Sequence, residues 1–489
     1  MDGNTRQASI RGHCPQCNES YVVNNNGNLR RHVCGIVQAN ENDWRQQLNH
    51  QRVNHEQNST INWSKKKRVW AMKVTEIMQG IKTAEMEKNE QEFQTYLNRA
   101  MMEIYDLTPP GSRPFKTNQE NSYENSGCPI DYTISEQKGM SKDQTVNAQK
   151  MNLINKTLFQ HKRIAKVQQI LFSNGVAELA RPEVRDNLRS KFREEAIPKP
   201  RENIEWLETI QNYEMSEEDN MVHDYNNHLY THIMGKKRGN GKSISGWSYD
   251  HIQDLISIDP ENFTLISEII PHLHGMSEMA EEKYKMNKGT ALNKKKDAID
   301  VRPIGCKNPF MSIAGHMARF QEHKKIQHLS GSTQMGGGIK GGVETIPHLL
   351  RTYLQNNPNH VVLKKDAKNA WGSLAKWAAL GAIQADFQDT AFEKAAVWEI
   401  GGITASTVFH DNRYGIAEKI YHYDGMLQGS NIAGDIYNLV QARVLNYGMS
   451  NVANREIRPG EEGYVNHIED YDDVYIYGDP RSCIQLDEI

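Results

Sequence analysis

The chain has 489 residues, and its 58 Lys and Arg against 61 Asp and Glu leave a formal net charge of −3, so nucleic-acid binding cannot be inferred from total charge. Only 37% of the residues are apolar, and no run of about 18 apolar residues occurs, so we expect no membrane-spanning helix and no membrane partner. Six cysteines in a chain of this length do not form a disulfide framework, which favours a reducing, intracellular compartment.

The first 36 residues combine Cys14 and Cys17 with a later His32 and Cys34. A Cys-x2-Cys pair followed by a late histidine is a zinc-binding pattern, and so short a unit buries too little apolar surface to fold without a metal. One residue separates the last two ligands, whereas about three to five are usual. We predict a zinc-finger-like module over residues 1–36 with Zn²⁺ on these four side chains; the alternative is a polar tail with two free cysteines.

Residues 37–145 are rich in Asn, Gln and Ser, which predicts a polar linker that is helical in part and disordered in part. Within it, regularly spaced apolar residues from Trp63 to about Asp106 predict helix. Helical periodicity returns over residues 146–201, which we predict to be a helical N-terminal extension.

From residue 202 onward, helical stretches alternate with short strands and Gly-rich turns, so the predicted fold class is α+β. The predicted strands are a short one in Asp300–Gly305, one over Val361–Lys365, and a final strand–turn–strand around Tyr471. The predicted helices include Val343 to Leu354, Trp371 to about Gln384, and an amphipathic helix from Ser430 to Tyr447. The Gly-rich stretch 336–342 lacks Gly-Lys-Ser/Thr, so we do not predict a phosphate-binding loop there.

Lysine and arginine concentrate in four short clusters, each of which alone is typical of a solvated surface. They are Lys65–Arg68, Lys236–Arg238 with Lys242, Lys294–Lys296, and Lys324–Lys325. Four such clusters in a nearly neutral protein predict a basic channel for nucleic acid.

Carboxylates recur at two strand-like segments that lie far apart in the chain. Asp366 follows Val361–Lys365, and Asp472 and Asp473 follow Tyr471 in the last strand–turn–strand. Two-metal phosphoryl transfer needs such a cluster, because hard cations prefer oxygen ligands and two ions must be held a few ångströms apart. An Asp-Asp pair alone would be a solvated turn, and Asp366 alone an exposed strand-end carboxylate.

Six short motifs occur in an order that resembles the reverse transcriptase domain of non-LTR retrotransposons, over about residues 240–480. They are Ser-Gly-Trp-Ser-Tyr-Asp250, Val-Arg302-Pro-Ile, Gln334-Met-Gly-Gly-Gly-Ile-Lys-Gly-Gly-Val-Glu, Lys-Asp366-Ala-Lys-Asn-Ala-Trp371, Leu-Gln428-Gly429-Ser and Tyr-Asp472-Asp473. The resemblance implies a right-hand polymerase, with fingers over residues 202–345 and an incomplete palm without a thumb over 346–489. It implies RNA-directed DNA polymerase activity with two Mg²⁺ ions, in which Asp366, Asp472 and Asp473 are catalytic and bind metal.

The same resemblance assigns nucleotide contacts to Arg302, Trp371, Gln428, Gly429 and Ala367. Arg302 is expected to grip the triphosphate, because a guanidinium pairs with phosphate oxygens in a bidentate fork. One of Lys294 to Lys296 is expected to be a second such cation. Trp371 occupies the place of a Phe or Tyr that excludes a ribose 2′ hydroxyl, and its larger ring is a departure from the family. The alternative for Trp371 is a core residue at the start of a helix.

The implied partners are an RNA template, a DNA primer or target, and deoxynucleoside triphosphates, in a nuclear location. Only sixteen residues follow Asp473, which is too few for a primer grip and thumb, so we expect either a fragment or a decayed element. One alternative is therefore a non-catalytic, retroelement-derived nucleic-acid-binding protein. The second alternative, an RNA-dependent RNA polymerase, is disfavoured by Trp371 and by Gln428-Gly429.

Overall fold

The computed structural model describes most of the chain from residue 64 onward and two short strands before it. The described residues are 11–13, 20–22, 64–110, 112, 151, 174–201, 204–208, 225–295, 299–337, 339–402, 404–411, 415–454 and 456–488. Within these ranges, no helix has both the length and the apolar character that crossing a bilayer requires.

The described residues form sixteen helices, a 3₁₀ turn and nine strands. The helices are α1 (Lys65–Glu87), α2 (Glu90–Asp106), α3 (Pro182–Arg189), α4 (Glu205–Glu208), α5 (Tyr225–Gly235), α6 (Tyr249–Ile258), α7 (Glu261–Ile269), α8 (Glu278–Tyr284), α9 (Pro309–Gln321), α10 (His323–Leu329), α11 (Gly342–Asn356), α12 (Ala370–Ser373), α13 (Lys376–Phe387), α14 (Ala391–Ile400), α15 (Ala433–Val452) and α16 (Pro480–Glu488), with a 3₁₀ turn at Ile270–Gly275. The strands are β1 (Arg11–His13), β2 (Ser20–Val22), β3 (Met286–Asn293), β4 (Val301–Cys306), β5 (Val361–Asp366), β6 (Ser406–Asp411), β7 (Ile416–Tyr421), β8 (Val465–Asp470) and β9 (Asp473–Gly478).

Strands β1 and β2 form an antiparallel pair in which Gly12 lies opposite Tyr21. The predicted zinc ligands Cys14, Cys17, His32 and Cys34 lie outside the described residues.

Helices α1 and α2 pack into the same core as the helices between residues 225 and 321. Their apolar residues, among them Val74 and Leu97, are fully buried there beside Trp247. The Trp247 indole N–H donates to the Ile104 carbonyl oxygen at 3.1 Å, which ties α2 to the turn before α6. The predicted single helical stretch is divided at Asn89, because the Asn89 side chain caps α2 by accepting the Glu92 N–H at 3.0 Å.

The first sheet has the order β4-β3-β6-β7, in which β3 and β6 are parallel and the other neighbours are antiparallel. Helix α3 packs against it through Val184 and Leu188, which share a small core with Val301 and Phe409. The hairpin β6–β7 was not predicted from the sequence.

The second sheet is antiparallel, with the order β5-β9-β8. Together with the mixed sheet and the surrounding helices, it confirms the coarse prediction of an α+β protein. The predicted strand Val361–Lys365 and the strand–turn–strand around Tyr471 are both present and pair with each other.

Two predicted helices differ in detail from the structure. The helix predicted from Trp371 is interrupted at Leu374, where the Leu374 carbonyl accepts the Gly425 N–H at 2.8 Å. The new helix α13 then begins with the Lys376 N–H donating to the Asp424 carboxylate at 2.8 Å. The break before α13 is therefore caused by Asp424 and Gly425, which are remote in sequence, so the local sequence pattern does not predict it.

Helix α15 was predicted to bury one apolar face, yet it also buries charged and polar side chains. Arg443, 1% exposed, donates through Nε to Asp386 of α13 at 3.0 Å. A buried charge needs such a partner, because an unpaired one would carry a large desolvation cost.

Candidate active site

Three carboxylates lie at one end of the antiparallel sheet because of the register of its strands. Asp366, the last residue of β5, stands directly opposite Asp473, the first residue of β9. On the other side of β9, Asp473 stands opposite Asp470, the last residue of β8. The sequence separates Asp366 widely from the other two, and the sheet brings all three side by side.

The turn between β8 and β9 consists of Tyr471 and Asp472. Tyr471 has a φ of 51°, a left-handed conformation that non-glycine residues seldom adopt, which lets two residues reverse the chain. The backbone N–H of Ala367, just after Asp366, donates to the Asp472 carbonyl at 3.3 Å. The structure thus places Asp366 beside Asp472 through the backbone, and Ala367 beside both.

The carboxylates affect each other and their surroundings electrostatically. Burial, followed by the charges of Asp473 and Asp472, raises the pKa of Asp470 above its usual value. Burial raises the pKa of Tyr437 to about 12, with further contributions from Asp472, Glu469 and Asp366. Negative charge therefore accumulates at this end of the sheet, and a bound cation would relieve the repulsion.

The donor atoms here are carboxylate oxygens, which is the chemistry that Mg²⁺ prefers. Their side chains do not yet surround a common point, since no group of three His, Cys, Asp or Glu among the described residues has metal-site geometry. One reason is visible, because the Lys364 ammonium lies 3.0 Å from the Asp473 carboxylate and occupies its oxygens. The carboxylates of Asp366, Asp472 and Asp473 fit Mg²⁺ by the chemistry of their donor atoms, while Asp473 is paired with Lys364 in this structure.

A cavity of about 360 Å³ opens beside the turn, and several predicted nucleotide contacts line it. Its walls include Trp371, Gln428, Gly429 and Tyr471. The rings of Trp371 and Tyr471 meet edge to face with centroids 6.5 Å apart. This volume lies within the range of about 300–1,000 Å³ that small-molecule sites occupy.

Gly429 is required at its place in the cavity wall for two reasons. Its φ is 125°, and a Cβ there would lie 2.4 Å from the Gly305 carbonyl oxygen. The Gly305 N–H donates to the Gln428 carbonyl at 3.0 Å, so this segment is attached to the end of β4.

Comparisons with known proteins add little to this geometry. No family model and no curated protein matches the chain. One solved structure that it resembles is the apo telomerase from Candida tropicalis truncated from its C-terminal domain, with 13% identity over 42% of this chain and 46% of that chain, and a TM-score of 0.29. The chain thus covers less than half of that structure.

Arg302 is on β4, the strand whose Gly305 contacts Gln428, but it does not line the cavity. Its side chain is exposed and lies on the opposite face of the strand from the buried Val301 and Pro303. Of the neighbouring lysines, Lys294 pairs with Asp300 at 2.9 Å, and Lys296 lies outside the described residues.

Two of the basic clusters form one surface around Asp254 of α6. Lys67 Nζ donates to one oxygen of this buried carboxylate at 2.8 Å, and Arg238 Nη1 donates to the other at 2.7 Å. We call this surface the Asp254 patch and define it as Lys65–Arg68 and Lys236–Arg238. Two of the four predicted basic clusters therefore lie together in the described part of the chain.

The cavity also contains a charged pair that the sequence analysis missed. Arg319 of α9 donates through Nε and Nη2 to the carboxylate of Asp435 in α15, the latter bond measuring 3.2 Å. Arg319 and Asp435 are far apart in the sequence, and no local sequence pattern predicts that they pair. A second group that was not predicted surrounds Gln334 and lies beneath the turn between β8 and β9. The sequence analysis noted the Gly-rich stretch after Gln334 but not this group.

Proposed function

We propose that this chain catalyses templated transfer of deoxynucleotides to a primer, with RNA as the template. The observation that carries the proposal is the register of β5 and β9, which puts Asp366 beside Asp472 and Asp473, next to the cavity lined by Trp371, Gln428 and Gly429. Carboxylates that are remote in sequence and adjacent in strand register, beside a nucleotide-sized cavity, are what two-metal phosphoryl transfer would draw on.

In this proposal the residues have separate tasks. Asp366 and Asp472 would hold the two Mg²⁺ ions, with Asp473 contributing once Lys364 has moved away. When bound, the ions would supply activation of the primer hydroxyl and neutralisation of the triphosphate. Arg302 would reach the triphosphate from β4, Trp371 would pack against the sugar, and Gln428-Gly429 would support the base.

The coarse α+β architecture supports a division into fingers and palm. The palm would be the sheet β5-β9-β8, which has the acids at one end, with helices α13 and α15. The fingers would be β3 and β4 with the helices between residues 202 and 345, and β6 and β7, which complete their sheet, would come from the palm range 346–489.

The Asp254 patch would bind the phosphodiester backbone of the template. Its Lys65, Lys66, Arg68 and Lys237 side chains are exposed, and neutralisation of phosphates by such residues gives affinity independent of sequence. The zinc module on Cys14, Cys17, His32 and Cys34 would add a second nucleic-acid contact. A nuclear location remains a prediction from the resemblance.

Primer extension on an RNA template with Mg²⁺ and deoxynucleotides tests the proposal. The full chain should extend the primer, and Asp472→Asn should lower the rate by about 10³-fold or more, because it removes a metal ligand. The control is Asp186→Asn, at an exposed carboxylate on α3 that pairs only loosely with Arg189 at 3.6 Å, and it should extend normally. Equal rates for the wild type and Asp472→Asn would contradict the proposal.

A nucleic-acid-binding protein without polymerase activity is the second candidate. The observation that favours it is the Lys364–Asp473 pair, which leaves the acids unconverged in the described part of the chain. In that case the wild type and Asp472→Asn should bind RNA equally and both should fail to extend a primer.

A further inference from the structure

Gln334 is a buried glutamine, 2% exposed, that contacts the turn between β8 and β9. Its carboxamide oxygen accepts two backbone N–H groups, from Tyr471 at 2.9 Å and from Gly336 at 3.0 Å. Gly336 lies so close to the turn that a Cβ there would be 2.3 Å from an oxygen of Asp470. The segment from Gln334 to Gly336 therefore packs directly beneath the carboxylate-bearing turn.

The orientation of the Gln334 carboxamide is determined by Glu469, which is fully buried. Gln334 Nε2 donates to Glu469 Oε2 at 3.2 Å, and Gln441 Nε2 donates to the same oxygen at 2.9 Å. The other oxygen accepts from the Thr333 hydroxyl at 3.2 Å and contacts His467 Nε2 at 3.1 Å. Backbone N–H groups only donate hydrogen bonds, so the amide oxygen must face Tyr471 and Gly336, and the amide nitrogen then faces the Glu469 carboxylate.

The backbone reinforces the same contact. The Met335 N–H donates to the Glu469 carbonyl, and the Glu469 N–H donates to the Thr333 carbonyl, both at 2.8 Å. The loop that carries Gln334 is thus paired to β8 immediately before the turn, and it cannot shift independently.

We propose that Gln334 is a positioning residue for the metal site, acting through Tyr471 on Asp472. Tyr471 adopts a left-handed φ of 51°, which its own side chain disfavours, and the bond from its N–H to Gln334 compensates for this. Asp472 is the next residue, so the direction in which its side chain leaves the backbone follows from the conformation of Tyr471. The inference rests on the proposed function, since it assigns the turn a metal-holding role.

Gln334→Met tests this, because methionine keeps the length and approximate volume of the side chain and removes all three of its hydrogen bonds. We expect kcat for primer extension to fall by about tenfold to a hundredfold, with little change in the KM for nucleotide, since a misplaced ligand affects the reacting atoms and not the cavity. Gln355→Met, at an exposed glutamine on α11, is the matched control and should change neither constant.

A second measurement does not depend on activity. Mn²⁺ binding to the full chain, followed by electron paramagnetic resonance, should show a dissociation constant several-fold higher in Gln334→Met than in the wild type and Gln355→Met. An unchanged constant would overturn the inference even if the wild type did not polymerise. Failure of the wild type to extend a primer would instead count against the proposed function.

A double variant that exchanges the side chains of Gln334 and Glu469 distinguishes the loss of this interaction from simple misfolding. Gln334→Glu alone opposes two buried carboxylates and should lose activity and Mn²⁺ affinity. Gln334→Glu combined with Glu469→Gln restores a donor and an acceptor, and Gln441 can turn its amide to suit, because its Oε1 has no hydrogen-bond partner among the described residues. We expect kcat of the double variant to be at least about tenfold higher than kcat of Gln334→Glu. A folded double variant as impaired as Gln334→Glu would overturn the inference.

Discussion

The ammonium of Lys364 lies 3.0 Å from the carboxylate of Asp473, across the strand pair β5–β9. The hydrogen bond to Asp473 raises the pKa of Lys364, so the lysine stays charged at neutral pH and competes with any cation for this carboxylate. Release of Asp473 is therefore a step that metal binding would require.

Lys364→Gln should lower the Mg²⁺ concentration for half-maximal primer extension by about two- to threefold, a modest change because exposed ion pairs are weak. Lys365→Gln is the matched control, since Lys365 is equally exposed and pairs with Asp487 instead. A Mg²⁺ titration of extension rate compares the three proteins. A higher Mg²⁺ requirement in Lys364→Gln would show that the lysine assists the metal site.

Trp371→Ala should weaken discrimination between deoxynucleotides and ribonucleotides by roughly tenfold, because the ring lines the cavity where the sugar would lie. Single-nucleotide incorporation gives kcat/KM for each substrate. Trp377→Ala is the control, since Trp377 is also half-buried but packs on Trp206 with centroids 6.2 Å apart, away from the cavity. If the ratio of kcat/KM for deoxynucleotides to that for ribonucleotides is unchanged in Trp371→Ala, then Trp371 only packs against its neighbours and does not select the sugar.

The Asp254 patch predicts a salt-dependent interaction with RNA. Lys66→Gln combined with Lys237→Gln should weaken binding of single-stranded RNA and reduce the slope of log affinity against log salt by about 0.7 for each lost phosphate contact. Lys88→Gln combined with Lys394→Gln removes two exposed charges outside the patch and should preserve the slope. Fluorescence anisotropy over a salt series measures it, and equal slopes for both double variants would exclude the patch as an RNA-binding surface.

Three histidines stack between α5 and α9 and predict sensitivity to acid. The ring centroids of His232 and His316 are 3.5 Å apart, and Nε2 of His228 is 3.0 Å from Nε2 of His316. Burial, His228 and the cations Lys236 and Arg319 lower the pKa of His316 to about 4. The unfolded chain takes up this proton near pH 6.5 and the folded one near 4, so stability falls as pH decreases through that window.

His316→Gln should therefore lose less stability than the wild type between pH 7 and pH 5, by roughly 1 kcal/mol after allowance for partial exposure. Urea denaturation at both pH values measures the free energy of unfolding. His348→Gln, at an exposed histidine on α11, should show the wild-type pH dependence. The same loss in His316→Gln as in the wild type would exclude the histidine stack as the cause.

Parts of the fold could be predicted from the sequence where the pattern is local. Strand β5 and the hairpin around Tyr471 are short apolar runs bounded by acids, and both are present. The order of motifs led to the expectation that Asp366 meets Asp472, and the strands place them together. Whether these residues bind metal stays a prediction.

Other features depend on partners that no local pattern contains. The interruption before α13 arises from Asp424, and the buried Arg443 is neutralised by Asp386 on another helix. The contact of Gln334 with Tyr471 joins a loop to a turn far along the chain. The hairpin β6–β7 has a turn signal, because Asn412 and Gly415 separate two short β-prone runs, but its parallel position beside β3 depends on tertiary contacts.

The parallel pairing of β3 with β6 has a consequence for how the protein can be divided. Strand β3 pairs with β6 along Met286–Gly289, and its later residues pair with the segment around Val176. A polypeptide that stops at residue 345 would leave the Met286–Gly289 part of this edge with unpaired N–H and C=O groups, ready to pair with other chains. During synthesis, too, this sheet can be completed only after about a hundred residues beyond β4 have been added. Truncated polypeptides for expression should therefore contain both the β3–β4 and the β6–β7 hairpins.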